Sequence, residues 1–274
     1  MGLVVNTNMD ALTIENVVSQ TNDVVSKDLL QLSSGLRINT SADDPAGYAI
    51  ANAFKASIAS MQVASQNASQ AQSFLQTADG AYSQINNIMV QMKSLATEAA
   101  SGQESSNNLA SLDNEFQGLS SEIDQIANST VYGGTTLLTG NITVTFQVGS
   151  TNNSYNQFVV ALTTAADTTG LSLTGLSLTS TTTARTAMDS LDSALTEINT
   201  MMGTVGGFQN KLQYTMSNLT TSIQNYTSSQ STIEDVDMAS AVSDMTKNQI
   251  LQQSAMAMLA QANQQPQQIL KLLG

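Results

Sequence analysis

Cysteine, histidine and tryptophan are all absent from this chain of 274 residues. Without cysteine there is no disulfide and no thiolate metal site. Without histidine the commonest general base and the commonest metal ligand are missing. An HExxH zinc-protease centre is excluded, and no Gly-rich phosphate loop or Ser/His/Asp set occurs. The composition points away from an enzyme, and no cofactor or metal is expected. Basic residues number eight against 21 acidic, a formal charge of -13. No Lys/Arg cluster exists, so nucleic acid and anionic membrane are poor partners on electrostatic grounds. No apolar run approaches the roughly 18–20 residues that a membrane span needs. Met1 to Gln20 has no basic n-region, continuous apolar stretch or small-residue cleavage site, so it does not read as a secretory signal peptide. Taken alone, those absences suit a cytoplasmic protein. Export by a route that reads no cleavable signal stays open.

Proline occurs twice and aromatics make up only 4%, yet 41% of the chain is hydrophobic. Ala, Ser, Thr, Gln and Asn dominate. This mixture suits extended helical packing with small contact residues better than a deep globular core. The ends show it most clearly. From Ile14, apolar or near-apolar residues recur at Val18, Thr21, Val25, Leu29, Leu32 and Leu36. From Met238 they recur at Val242, Met245, Leu251, Ala255, Met258 and Ala262. Spacings of three and four put each set on one stripe of a helix. A lone amphipathic helix is marginal in water, so each end reads as the other's partner.

Between the ends the pattern predicts further helices around one β-rich insert. The N-terminal helix, about Asn6 to Leu36, stops near Gly35, and a connector follows to Asp44. Asp44-Pro45 opens a second helix, with Asp a good N-cap and Pro well placed at the first helical position. Apolar residues then keep a three-four spacing from Phe54 to Ala99, a coiled-coil-like rod of roughly 80 Å at 1.5 Å per residue. Gly80 sits unexplained inside it. A polar turn from Gly102 precedes a third helix carrying Leu109, Phe116, Ile123 and Ile126, whose pattern ends at Gly133-Gly134. The insert spans about Thr135 to Thr183. Ile142, Val144, Phe146 and Val148 alternate with polar residues, and Phe158 to Leu162 is a second β-prone run, so the two predict a hairpin. Thr163 to Thr183 reads as weak strand or loop. A fourth helical block runs from Met188 to Tyr226, with Gly203, Gly206 and Gly207 suggesting a kink or a close helix contact. Ser231-Thr232-Ile233-Glu234 has capping-box form and is expected to start the C-terminal helix. The fold class is thus mainly α: a long coiled-coil-like helical hairpin with paired terminal helices and a small β-hairpin region.

Leu32-Ser33-Ser34-Gly35-Leu36-Arg37-Ile38-Asn39, followed by Asp43-Asp44-Pro45-Ala46-Gly47, resembles the N-terminal signature of bacterial flagellin. So does Val5-Asn6-Thr7-Asn8. Ser231 to Asp237, Gln249 to Gln253 and Leu259 to Gln264 resemble the flagellin C-terminal signature. The resemblance covers about residues 1–135 and 184–274. It implies a filament subunit that self-assembles for motility, secreted to the extracellular flagellum by the flagellar type III system. It implies an inner helical domain from 1–44 and 232–274, and an outer helical domain from 45–231 holding the insert. Large outer domains should be missing, because that insert is only about 50 residues. Implied partners are further copies of the chain, an export chaperone, and hook-associated and cap proteins. A hook–filament junction protein is the nearest rival, and the full C-terminal signature favours the filament subunit.

The expected assembly residues are Ile14, Val18, Val25, Leu29, Leu32, Met238, Val242, Met245, Leu251, Met258 and Leu259. Both end segments are net negative, so apolar burial must dominate their pairing, at ~25 cal/mol per Å². Such ends can order on assembly. Lys27 and Arg37 are candidates for salt bridges to acidic neighbours. Gly35, Arg37, Asp43, Asp44, Pro45, Ser231 and Glu234 form the expected connector and caps, with Asp43 and Asp44 read as caps rather than catalytic carboxylates. Asn-x-Ser/Thr matches such as Asn141-Ile142-Thr143 are expected by chance in this composition, and O-linked glycosylation of the insert follows only from family analogy. The resemblance also implies an innate immune receptor as a partner, reading the stretch that looks like Val90 to Glu98. Gln91 stands there in place of the family's Arg, while Leu95 and Glu115 fit the pattern. Loss of an Arg removes up to five directed donors, so weakened recognition is expected.

Overall fold

The computed structural model describes residues 8–273, and side chains as far as residue 265. Residues 5–7 of the N-terminal motif lie outside the described residues. Five helices occur in chain order: α1 (Met9–Ser34), α2 (Pro45–Ala99), α3 (Ser106–Ser129), α4 (Thr181–Glu234) and α5 (Met238–Leu273). Between α3 and α4 lie strands β1 (Val131–Tyr132), β2 (Thr135–Thr136), β3 (Ile142–Gln147) and β4 (Gln157–Leu162). Two compact units result: Met1–Ser57 with Asn225–Gly274, and Ile58–Gln224.

In the unit made from the chain ends, α1 and α5 pack together. Their cross-links run antiparallel: Asn8 Nδ2 donates to the Ala262 carbonyl at 2.9 Å, and Asn248 Nδ2 to Asp28 Oδ2 at 2.8 Å. Between these, Gln252 donates to Asn22. Gly35 caps α1 with φ +73 while its N–H reaches the Gln31 carbonyl at 2.9 Å, the left-handed ending that glycine permits. At the start of α2, Asp44 Oδ1 accepts from the amides of Ala46 (3.1 Å) and Gly47 (3.0 Å). That is the expected N-cap, with Pro45 at the first helical position. Gly47 leaves the cap room: a Cβ would lie 2.4 Å from Asp44 Oδ2 and 2.7 Å from Ile38 Cδ1, so those side chains would have to shift.

Ser231 and Glu234 do not start the last helix. They form the last turn of α4, and α5 begins at Met238, with Asp237 Oδ1 accepting from the Ala239 amide at 3.0 Å. The S-x-x-E pattern misled because the same residues complete a helix end here. Ser231 Oγ donates to Asp235 Oδ2 at 2.5 Å, and Glu234 is drawn inward.

The second unit has a continuous core. Ala68, Ala71, Leu75, Ala78, Ile85, Met89 and Met92 of α2 are fully buried, on the helical spacing read from the sequence. They meet Phe116 and Ile123 of α3 and Leu191, Ile198, Val205 and Leu212 of α4 in one cluster. β3 and β4 pair antiparallel in the register Val144↔Val160 and Phe146↔Phe158, which turns Phe158, Val160 and Leu162 inward. Phe74 stacks edge-on against Tyr132 and Phe146 at 5.7 and 5.8 Å between centroids. α3 ends at Ser129, before Gly133-Gly134, and those glycines instead turn the short β1–β2 hairpin with φ +58 and +86. The segment after β4 is irregular but not loose. Leu171, Leu173 and Leu178 are buried. Asp124 Oδ1 accepts from the Thr168 amide at 2.8 Å, and Asp113 Oδ1 from the Leu178 amide at 2.7 Å. α4 starts at Thr181, seven residues before Met188, and continues through Gly203, Gly206 and Gly207. A Cβ at any of these three would meet nothing within 4 Å, so they mediate no close contact among the described residues.

Candidate functional site

The sequence reading concentrates the functional residues in the unit built from the chain ends, which is held by a small polar clasp. The chain leaves α1 through Gly35 and returns at Asp235. Leu36 and Asp235 form an isolated antiparallel bridge. The Arg37 amide donates to the Glu234 carbonyl at 2.6 Å, and the Val236 amide to the Gly35 carbonyl at 3.0 Å. Arg37 does not make the expected salt bridge. Its guanidinium donates to the Ile233 carbonyl at 2.6 Å, because the nearby α4 terminus presents free carbonyls with partial negative charge. Lys27 does make its bridge, to Asp43 at 2.8 Å. Asp43 also accepts from the amides of Asn39 and Thr40. The Lys27 bond and these amide donors hold its carboxyl down at about 2.

Glu234 is the charge that sequence reading misplaced. It is 3% exposed and takes bonds from Lys55 and from Gln230 Nε2, the latter at 2.9 Å. Burial pushes its carboxyl upward, but the Lys55 bond, the Gln230 bond and the Lys55 charge outweigh it and leave the group below the ordinary range. Phe54, one residue before Lys55, stacks edge-on against Tyr226 at 5.4 Å. Lys55 was not singled out from sequence, because its partner is 179 positions away.

The proposed assembly residues divide in two. Ile14, Val18, Val25, Leu32, Met245 and Leu259 are buried or half-buried. Leu29, Met238, Val242, Leu251 and Met258 remain 46–60% exposed. Beside these, Met9, Leu12, Val17, Val24 and Leu30 of α1 and Ile250 and Met256 of α5 are open to a similar degree. They lie off the stripe that periodicity selects, so the spacing rule missed them. This much apolar side chain on one pair of helices is what an interaction surface looks like. In the second unit, Gln91 and Glu115 are exposed, whereas Leu95 is 9% exposed and belongs to the core.

Comparison with known proteins gives the same family at both ends. The bacterial flagellin N-terminal helical region matches residues 5–143, and the bacterial flagellin C-terminal helical region matches residues 188–273. The chain is 35% identical to a flagellin of Bacillus subtilis (strain 168), across 98% of this chain and 99% of that protein. It is 34% identical to flagellin FlaB2 of Treponema pallidum (strain Nichols), across 99% and 100%. A crystal structure of Bacillus cereus flagellin superposes with a TM-score of 0.50 at 30% identity, covering 56% of this chain and 88% of that one. A structure described as a flagellar hook-associated protein from Vibrio parahaemolyticus reaches a TM-score of 0.59. It is only 10% identical, covers 70% of this chain and 99% of its own, and shows a shared fold alone.

Proposed function

This chain belongs to the bacterial flagellin family, and from that premise we propose how its parts divide the work of a filament subunit. The protein is a structural subunit that polymerises with copies of itself into the extracellular flagellar filament used for motility. The family is structural rather than enzymatic. Only residues 144–187 separate the two family regions, so this is a short form without large outer domains. The hook–filament junction alternative is not favoured.

Residues 1–44 and 232–274 form the inner helical domain, and 45–231 the outer one. The observation that carries this reading is the open apolar face of α1 and α5. Fully burying one Leu, Val or Met side chain is worth ~1.5–3 kcal/mol, and about half of that remains to be gained where half the side chain is open. Over a dozen such residues the gain is on the order of 10 kcal/mol per subunit, an upper estimate. That is enough to order helices that are marginal alone. The export reading keeps its implied partners: the type III route, a chaperone, and hook-associated and cap proteins. No helix among the described residues is long and apolar enough to cross a membrane.

The test is polymerisation of the purified chain carrying Leu251→Asp with Met258→Asp. The variant should keep its helical spectrum in the second unit and fail to form filaments. Polymerisation at the wild-type critical concentration would sink the assignment. Gln91 and Glu115 support a second, weaker role as receptor contacts, since both are exposed. A receptor reporter assay should show Gln91→Arg signalling more strongly than wild type; equal, strong signalling by both would remove the idea.

A further inference from the structure

The second unit carries two exposed features outside its core. One is a stripe on α4. Gly203, Gly207, Lys211, Tyr214 and Asn218 recur at three-four spacing, and all are exposed. Tyr214 is 79% exposed, and Tyr155, on the 3₁₀ turn between β3 and β4, is 92% exposed. Both line an open groove of about 690 Å³ between that turn and α4. Only twelve residues in the chain are Tyr or Phe, so two left open at one groove call for an explanation. Lys211 lies 5.4 Å from the centre of the Phe158 ring. Among the described residues no carboxylate comes within ion-pair distance of it.

The other feature is the outer face of α3. Glu115, Gly118 and Glu122 are exposed along two turns, and neither glutamate has a cation partner among the described residues. A Cβ at Gly118 would meet nothing within 4 Å. The unit as a whole, residues 58–224, carries eleven acidic residues against Lys93, Arg185 and Lys211. A cation left unpaired in such surroundings is an attractive point for a second acidic unit.

We propose that the Tyr155–Lys211–Tyr214 groove of one copy receives the Glu115–Gly118–Glu122 face of α3 from a second copy. No residue of α3 lines the groove, so groove and ridge are different patches of one unit. A contact between unlike patches is heterologous and propagates into an open helical polymer when its rotation does not close a ring, whereas a self-complementary patch closes a dimer. The glycines fit this use. Gly207, one turn before Lys211, and Gly118, between the two glutamates, leave hollows where two helices approach closely. Tyrosines flanking a lysine supply the rigid aromatic anchors that protein interfaces favour. The open, shallow groove suits a helix rather than a small molecule, which binds in enclosed pockets.

The contact rests on assembly of this chain into filaments, and the experiment separates the two. Purified full-length monomers are seeded with filament fragments, and the critical concentration is read by sedimentation. Lys211→Glu, which sets like charges face to face, should raise it roughly tenfold or more. Glu115→Lys with Glu122→Lys should do the same. All three substitutions together should restore most of the loss, while melting of each monomer stays at the wild-type temperature. Raised salt should shrink the gap between Lys211→Glu and wild type. Lys211→Glu assembling like wild type overturns the groove. Failure of the triple variant to recover overturns α3 as its occupant. Wild-type protein that forms no filament would overturn the assembly reading itself.

Discussion

The clasp around Glu234 predicts an asymmetry between its two charges. The Glu234 side chain is 4% exposed and that of Lys55 46% exposed. Lys55→Met leaves a carboxylate buried with Gln230 as its one side-chain donor. Removing one partner of a buried pair costs about 3–5 kcal/mol, and the half-exposed partner places this case near about 3. Glu234→Gln keeps the shape, and the freed ammonium turns to water, so the cost is about 1 kcal/mol. The assay is hydrogen exchange in assembled filaments at the amides of Arg37 and Val236, whose bonds cross the clasp. Exchange there should accelerate about 100-fold in Lys55→Met and about fivefold in Glu234→Gln.

The pH dependence fixes the sign. In wild type the Glu234 carboxyl sits below its ordinary 4.5. Its contribution is therefore present above that value and lost as pH falls through the depressed one. In Lys55→Met burial is no longer outweighed by Lys55, so the carboxyl sits higher and protonation relieves the buried charge. The gap between the two variants should close as pH falls toward and below 4.5. Equal effects of the two substitutions, or a gap indifferent to pH, would refute the reasoning.

Asp43→Asn should weaken the connector by about 1 kcal/mol at neutral pH. Since the Asp43 carboxyl is held at about 2 against an ordinary 3.8, that difference should persist above 3.8 and fade as pH falls through about 2; carbon-detected NMR titration checks it. Gly80→Ala should raise stability of the second unit by about 1 kcal/mol, because a methyl there meets nothing within 4 Å. Gly47→Ala should destabilise the first unit in filaments, since its methyl would press on the Asp44 cap and Ile38. Thermal melts of the two variants beside wild type separate these signs.

The long helices were legible because apolar residues keep a three-four spacing from Phe54 to Ala99, and tertiary packing along α2 agrees with that period. The β3–β4 hairpin was legible from alternation in its first strand and from a β-prone apolar run in its second. What escaped has definite causes. β1 and β2 are two residues each, too short for any period to register. Leu171, Leu173 and Leu178 are core residues on irregular backbone, fixed by carboxylates from α3 that lie 44 and 65 positions away. Ser231 to Glu234 satisfies the helix-start rule while ending a helix, and only the burial of Glu234 against Lys55 distinguishes the two. On α1 and α5 spacing alone does not separate covered from open positions: Val25 is buried, whereas Leu29, Val242, Leu251 and Met258 on the same stripes stay exposed.

That division has a thermodynamic consequence. Among the described residues of the unit made from the chain ends, the buried apolar side chains are Val25, Ile38, Ala51, Ala241 and Ala262. Three of these are alanines. The second unit instead buries Leu75, Ile85, Met89, Met92, Phe116, Ile123 and many more in one cluster. Ordering each residue costs about 1–2 kcal/mol of backbone entropy, and fully buried side chains limited to Val25, Ala241 and Ala262 on α1 and α5, beside half-buried ones, do not offset that over two helices. We propose that the first unit draws its stability from neighbouring copies, and such stability rises with subunit concentration. Dilute monomer should therefore melt in one transition belonging to the second unit, with rapid amide exchange throughout α1 and α5. Filaments should show a further transition, and protection of both helices, that disappear together on depolymerisation. Slow exchange across α1 and α5 in dilute monomer would mean that this unit holds itself together, and the argument from its missing core would fail.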